Sequence, residues 1–138
     1  MNDERKALNE KVIEDFRNTG GKPGGMYESI PLLLLHHTGA KSATEYITPL
    51  AYLPDGENWV LFAANGGRPS HPGWYFNLKA APAARIEVGT ETIEVVARFA
   101  AGQERDALYA REREVSPLFG DFEKRTTREI PVVVLERA

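Results

Sequence analysis

The chain has 138 residues, the size of one ordinary domain, and no cysteine, which excludes disulfides, thiolate nucleophiles and cysteine-built metal sites. Its 17 Lys and Arg against 20 Asp and Glu leave a net charge near −3, so no basic face for nucleic acid is expected. No apolar run approaches the roughly 20 residues of a membrane span, and the charged stretch Met1 to Arg17 lacks the apolar core of a signal peptide. A cytoplasmic protein with at most peripheral membrane contact is expected.

Residues 3–18 read as an amphipathic helix with Leu8, Val12, Ile13 and Phe16 on its apolar stripe, capped by Asn2 or Asp3 and ended at Gly20-Gly21. A Gly-rich approach loop over 20–29 follows. Ile30 to His37 is a continuous apolar strand, of the kind buried on both faces. Thr38 to Ser42 is a turn, Glu45 to Leu53 a second strand, Pro54-Asp55-Gly56 a turn, and Trp59 to Ala64 a third strand. Pro72 to Ala80 reads as a short helix. Ala84–Val88 and Glu91–Phe99 form a hairpin about Gly89-Thr90, and Gln103 to Val115 a helix of mixed charge with a solvated face. Phe119 to Thr126 continues it after Pro117, and Pro131 to Glu136 is the last strand. The order α-βββ-α-ββ-α(α)-β predicts a mainly β, α+β domain over 1–138, its antiparallel sheet curled into a small barrel.

The chemistry concentrates in a few places. The turn Thr38-Gly39-Ala40-Lys41-Ser42 offers backbone N–H groups, a hydroxyl and an ammonium, which suits a phosphate, although an ordinary hairpin turn reads the same way. It lacks the second glycine and following helix of a P-loop. Pro72-Gly73-Trp74-Tyr75-Phe76-Asn77-Leu78 sets adjacent aromatics and an amide where a flat polar cofactor could be walled and oriented; the competing reading is core packing with Asn77 as a cap. His36 and His37 are neighbours in a strand, so they face opposite ways, and no metal site is expected. Ser116, Phe119 and Phe122 recur at one helical turn and are expected to share a face, either core or one wall of a substrate pocket.

Several blocks in this order resemble one family. They are Asn9…Ile13-Glu14-Asp15-Phe16-Arg17…Gly20-Gly21-Lys22…Gly24-Gly25, Pro31 to Ser42, Thr48-Pro49-Leu50, Asn65-Gly66-Gly67, Pro72 to Leu78 and Ile130 to Glu136. Together they look like the deazaflavin-dependent nitroreductase family of the flavin/deazaflavin oxidoreductase superfamily. The resemblance implies a split β-barrel of the FMN-binding type and coenzyme F420, with hydride delivered to a small electron-poor substrate: a quinone, nitroaromatic or unsaturated lactone. By the same resemblance, Ala40, Lys41 and Ser42 hold the cofactor phosphate or tail, and Tyr46, Ile47, Thr48 and Pro49 run along its side chain. Phe62, Ala63, Ala64, Asn65 and Gly66 meet the ring, and Gly73, Trp74, Tyr75 and Asn77 close the site. Ala51, Ser116, Phe119 and Phe122 face the substrate. No side chain is implied as catalytic, since the cofactor carries the hydride.

The sequence departs from that pattern at Ala40 and Tyr46, where relatives carry basic residues, and two cations near an anionic tail are missing. Phe119, Phe122 and Ser116 replace tyrosines, which favours an apolar substrate. The alternatives are an FMN-dependent oxidoreductase of the same fold and a non-enzymatic deazaflavin-binding protein. Oligomeric state is not legible in the sequence.

Overall fold

The computed structural model describes residues 3–22, 31–116 and 118–138. The proposed cap Asn2 and most of the Gly-rich loop lie outside the described residues. Helix α1 spans Asp3–Asn18, followed by β1 (Leu32–Thr38), β2 (Glu45–Ala51), β3 (Leu53–Asp55) and β4 (Asn58–Phe62). A 3-10 turn at Asn65–Gly67 leads into α2 (Gly73–Ala80), then β5 (Ala83–Val88), β6 (Glu91–Ala100), α3 (Gly102–Val115), α4 (Leu118–Arg125) and β7 (Val132–Arg137).

All seven strands form one antiparallel sheet in the order β2-β1-β5-β6-β7-β4-β3. Its two edge strands, β2 and β3, are consecutive in the chain and separated only by Tyr52, whose amide donates to Pro31 O at 3.2 Å. One residue cannot bridge the width of a flat seven-stranded sheet, because strands sit about 4.8 Å apart. The sheet must therefore curl until its edges approach, and the expected barrel follows. The single predicted strand Glu45 to Leu53 is here two strands on opposite edges. The turn after it falls at Gly56-Glu57, so Pro54 and Asp55 belong to β3.

Alternation then sorts the side chains. Leu33 and Leu35 of β1, Leu61 of β4, Ile86 of β5, Ile93 and Val95 of β6, and Val133 and Leu135 of β7 fill the interior. Trp74 and Leu78 of α2 join that cluster. The opposite faces are covered by helices. Val12 and Phe16 of α1 lie on Leu32 and Leu34, while Leu108 and Tyr109 of α3 lie on Val60, Phe62, Val132 and Val134. This is why β1, β4 and β7 read as unbroken apolar runs. Phe16 is 1% exposed. Phe16→Ala is expected to lower stability by about 3 kcal/mol or more, measured by urea unfolding.

Helix α3 corrects one expectation. Its charges are not all solvated, since Arg105 and Glu112 are buried. Arg105 donates to Ile130 O from Nε at 3.2 Å and Nη2 at 2.8 Å, tying α3 to the approach of β7.

Candidate active site

The turn after β1 is built around Gly39. Its amide donates to Thr44 O at 2.7 Å and its carbonyl accepts from Ala43 N at 3.0 Å. A Cβ at Gly39 would stand 2.5 Å from Ser42 Oγ and 3.0 Å from the Tyr46 ring, so a larger residue would push both side chains aside. Ala43 takes φ +57°, a left-handed conformation costly for alanine. Lys41 and Ser42 are exposed at the tip.

A chain of hydrogen bonds fixes this turn to α2. Asn77 Oδ1 accepts from the Ala40 amide at 2.9 Å, and Asn77 Nδ2 donates to His37 Nδ1 at 2.9 Å. With Nδ1 accepting, the imidazole proton sits on Nε2 and donates to Thr48 Oγ1 at 2.8 Å. Burial, with His36 adding to it, pushes the His37 pKa down to about 4, so this tautomer holds at neutral pH. The ring also stacks on Tyr46, with centroids 5.7 Å apart. Sequence reasoning missed His37, whose signal was its inward register beside Leu33 and Leu35. Asn77→Ala is expected to destabilise the protein by about 1–3 kcal/mol, because it strands the buried His37 Nδ1, and to loosen the turn. Urea unfolding at pH 7 checks the first effect.

The remaining expected residues are not gathered on one surface. In β2, Tyr46 pairs with His37 and Thr48 with Leu35, so both lie on the inner face of the sheet, Tyr46 at its exposed margin. Ile47, Pro49 and Ala51 pair with His36, Leu34 and Leu32 and face outward, Ile47 packing beneath α1. Four consecutive side chains therefore cannot line one ligand, although β2 is an edge strand whose outer backbone can. Phe62 packs under α3, edge-on to Tyr109 at 5.6 Å. The Ala63 amide donates to Pro131 O at 3.0 Å and that of Ala64 to Phe62 O at 2.9 Å. Asn65, at φ +51°, donates from Nδ2 to Ser70 O at 3.1 Å. Cβ atoms at Gly66 and Gly73 would meet nothing within 4 Å, so the backbone there borders open space.

Trp74 is 7% exposed and lies inside the barrel. Tyr75 is half-buried against His71 (4.7 Å), Phe76 (5.6 Å) and Phe99 (5.8 Å). Ser116 takes extended φ and ψ beyond the end of α3, so the expected helical face shared with Phe119 and Phe122 is corrected. The Phe119 side chain lies outside the described residues, and Phe122 packs beside the outer core under α3. Helix α4 closes on the 3-10 turn, where a Cβ on Gly67 would stand 2.9 Å from Arg125 Cβ. Arg128 braces the same loop, donating to Ala64 O (2.8 Å), Arg68 O (3.1 Å) and His71 Nδ1 (2.9 Å).

Two surface clefts of about 160 and 200 Å³ lie elsewhere, one along His36, Glu45, Arg85 and Glu94, the other between α1 and the β5–β6 turn. In the first, His36 bridges Glu45 (3.1 Å) and Glu87 (2.6 Å) on the outer face, opposite His37. Among the described residues no cluster of His, Asp and Glu could hold a metal ion, and no helix is long and apolar enough to cross a membrane.

A curled antiparallel sheet flanked by helices defines a protein of the split-barrel class. The family model described as F420H(2)-dependent quinone reductase matches residues 9–137, and the chain belongs to that family. An F420H(2)-dependent quinone reductase of Mycobacterium tuberculosis is 40% identical over 128 residues, 88% of this chain and 85% of its own. The structure of an F420-H2 dependent reductase (FDR-A) matches with a TM-score of 0.71 at 34% identity, covering 77% of this chain and 94% of that one. A chain described as a domain-swapped dimer matches with a TM-score of 0.73 at 28% identity, over 96% of this chain and 99% of its own. The family is that of F420-linked oxidoreductases, as the sequence blocks implied.

Proposed function

We propose that this protein reduces quinones with reduced coenzyme F420, in the cytoplasm. The observation that carries the reading is the family match across 9–137. The residues fit the group. Lys41 and Ser42, on a turn held in shape by Gly39 and by the Asn77–His37–Thr48 chain, would take the phosphate or acidic tail. The free edge of β2 would run along the tail, and the open backbone at Gly66 and Gly73 leaves room for a flat ring. When bound, the reduced deazaflavin supplies a hydride, and the chain needs no nucleophile or metal of its own. Asn77 and Ala40 act here by holding the turn, since Asn77 Oδ1 and the Ala40 amide already bond each other. Tyr46, packed on His37, stands where relatives carry a cation, which leaves Lys41 as the main charge on this turn.

The test is a fluorescence titration with F420 and, in parallel, FMN, followed by oxidation of reduced F420 with quinones, nitroaromatics and enones as acceptors. Saturable F420 binding with quinone turnover supports the reading. FMN binding alone moves the protein to flavin chemistry, and F420 binding without turnover makes it a carrier. Lys41→Ala is expected to weaken F420 binding by about 1 kcal/mol and to flatten its dependence on salt. An unchanged salt slope would remove Lys41 from the anion site.

A further inference from the structure

The loop between the 3-10 turn and α2 carries a group the hydride-transfer reading has not used. His71 is half-buried at the start of α2, its ring 4.7 Å from Tyr75 and 5.7 Å from Phe76. Arg128 donates to its Nδ1 at 2.9 Å. A guanidinium can only donate, so Nδ1 is the unprotonated nitrogen and Nε2 carries the hydrogen. Among the described residues, Nε2–H meets no acceptor. The imidazole is also held neutral, since burial and the charges of Arg128 and Lys79 lower its pKa. A neutral imidazole with a fixed Nε2–H is a hydrogen-bond donor that keeps its proton.

Its surroundings favour a negative charge. Lys79 Nζ rests 4.5 Å from the centre of the Phe99 ring and 5.7 Å from that of Tyr75, and no described carboxylate pairs with it. Arg128 likewise pairs with carbonyls and His71 but with no described acid. Two uncompensated cations thus flank one free donor. Phe76, 50% exposed, and Tyr75 add apolar aromatic area beside them, which a planar ring can stack on.

The geometry points to His71, Lys79 and Arg128 as an oxyanion subsite for the electron acceptor, with His71 Nε2–H hydrogen-bonded to the acceptor oxygen and Tyr75 and Phe76 beneath its ring. This rests on the proposed reaction and deepens it. A quinone that gains a hydride, two electrons and one proton from reduced F420, becomes a hydroquinone monoanion. The carbon–hydrogen bond of the donor breaks, one bond to hydrogen forms on the quinone, and the negative charge settles on the remaining oxygen. The subsite stabilises that charge as it develops, and water supplies the second proton. His71 is an electrostatic catalytic residue in this scheme and gives up no proton. Arg128 is a positioning residue that sets the tautomer.

The test uses an acidic hydroxynaphthoquinone, anionic at neutral pH, as a stand-in for the monoanion. Its binding is followed by absorbance in the full chain saturated with oxidised F420. His71→Phe keeps an aromatic ring and removes the donor, and Lys79→Met keeps the aliphatic stem and removes the charge. Each is expected to weaken binding of the anion, by about tenfold for His71→Phe, while F420 affinity stays within twofold of the parent. A neutral naphthoquinone should then show a fall in kcat with little change in KM. Nitrogen NMR of the parent should find His71 protonated at Nε2, with that signal moving when the anion is added. Unchanged anion affinity in both variants, or a proton on Nδ1, would overturn the subsite and leave the F420 reading standing. Failure of the parent to bind F420 would take down both.

Discussion

Trp74→Ala is expected to lower the stability of the protein by about 3–5 kcal/mol, the cost of emptying a large core position. The ring is 7% exposed and packs with Leu33, Leu78, Ile86 and Val133 within the interior cluster. It therefore anchors α2 to the interior of the sheet. Since α2 also carries Asn77, which holds the Ala40 amide, and borders His71, loss of this packing should loosen the turn after β1 as well. Urea unfolding with and without saturating F420 checks this. A variant with parental stability and weakened F420 affinity would show instead that Trp74 faces the cofactor directly, as the sequence pattern suggested. Trp74→Phe, which retains most of the volume, should recover much of the loss.

Glu112→Gln is expected to stabilise the protein above pH 7. Glu112 is 6% exposed on the buried face of α3, and its Oε2 has no hydrogen-bond partner among the described residues. Burial raises its pKa to about 7. The folded state therefore holds a proton that the unfolded chain releases near the ordinary glutamate value. Stability contributed by this site is intact below about pH 4.5 and declines as pH rises toward 7, reaching at most about 3 kcal/mol of loss above it. Glutamine has no charge to bury, so the Tm of the two proteins should agree near pH 4.5 and separate in favour of the variant by pH 8. Equal Tm values across that range would mean that Glu112 is ionised and compensated in the folded state.

Much of the fold was legible because its signals are local. The run Leu32–Leu35 announces a strand covered on both faces, and the structure covers it with the interior on one side and α1 on the other; Trp59–Phe62 and Val132–Leu135 read as strands, and α3 covers their outer face. The family blocks are also local, which is why the cofactor class could be inferred from the order of short motifs. The candidate site was legible only as a set of segments. The sequence placed the Lys41 turn, the Asn65-Gly66 stretch and the Gly73–Asn77 helix in play, without saying which side chains look into the same space.

That sorting belongs to the tertiary structure, and for a definite reason. Alternation along β2 separates Thr48 from Ile47 and Pro49, but which face is the inner one depends on pairing with β1. The divide at Tyr52 exists only because the barrel closes, so a continuous strand pattern became two edges. Asn77 meets Ala40 and His37 across 37 and 40 residues of chain, and Arg128 meets Ala64 and His71 across 64 and 57. By itself the sequence determined most of the strands, the helices, the absence of thiol chemistry and the family, because each is written in composition or in spacings of a few residues. Only the folded chain decided that Trp74 is core, that Asn77 bonds both Ala40 and His37, and that His71 accepts from Arg128, because these roles depend on contacts between segments that no short spacing encodes.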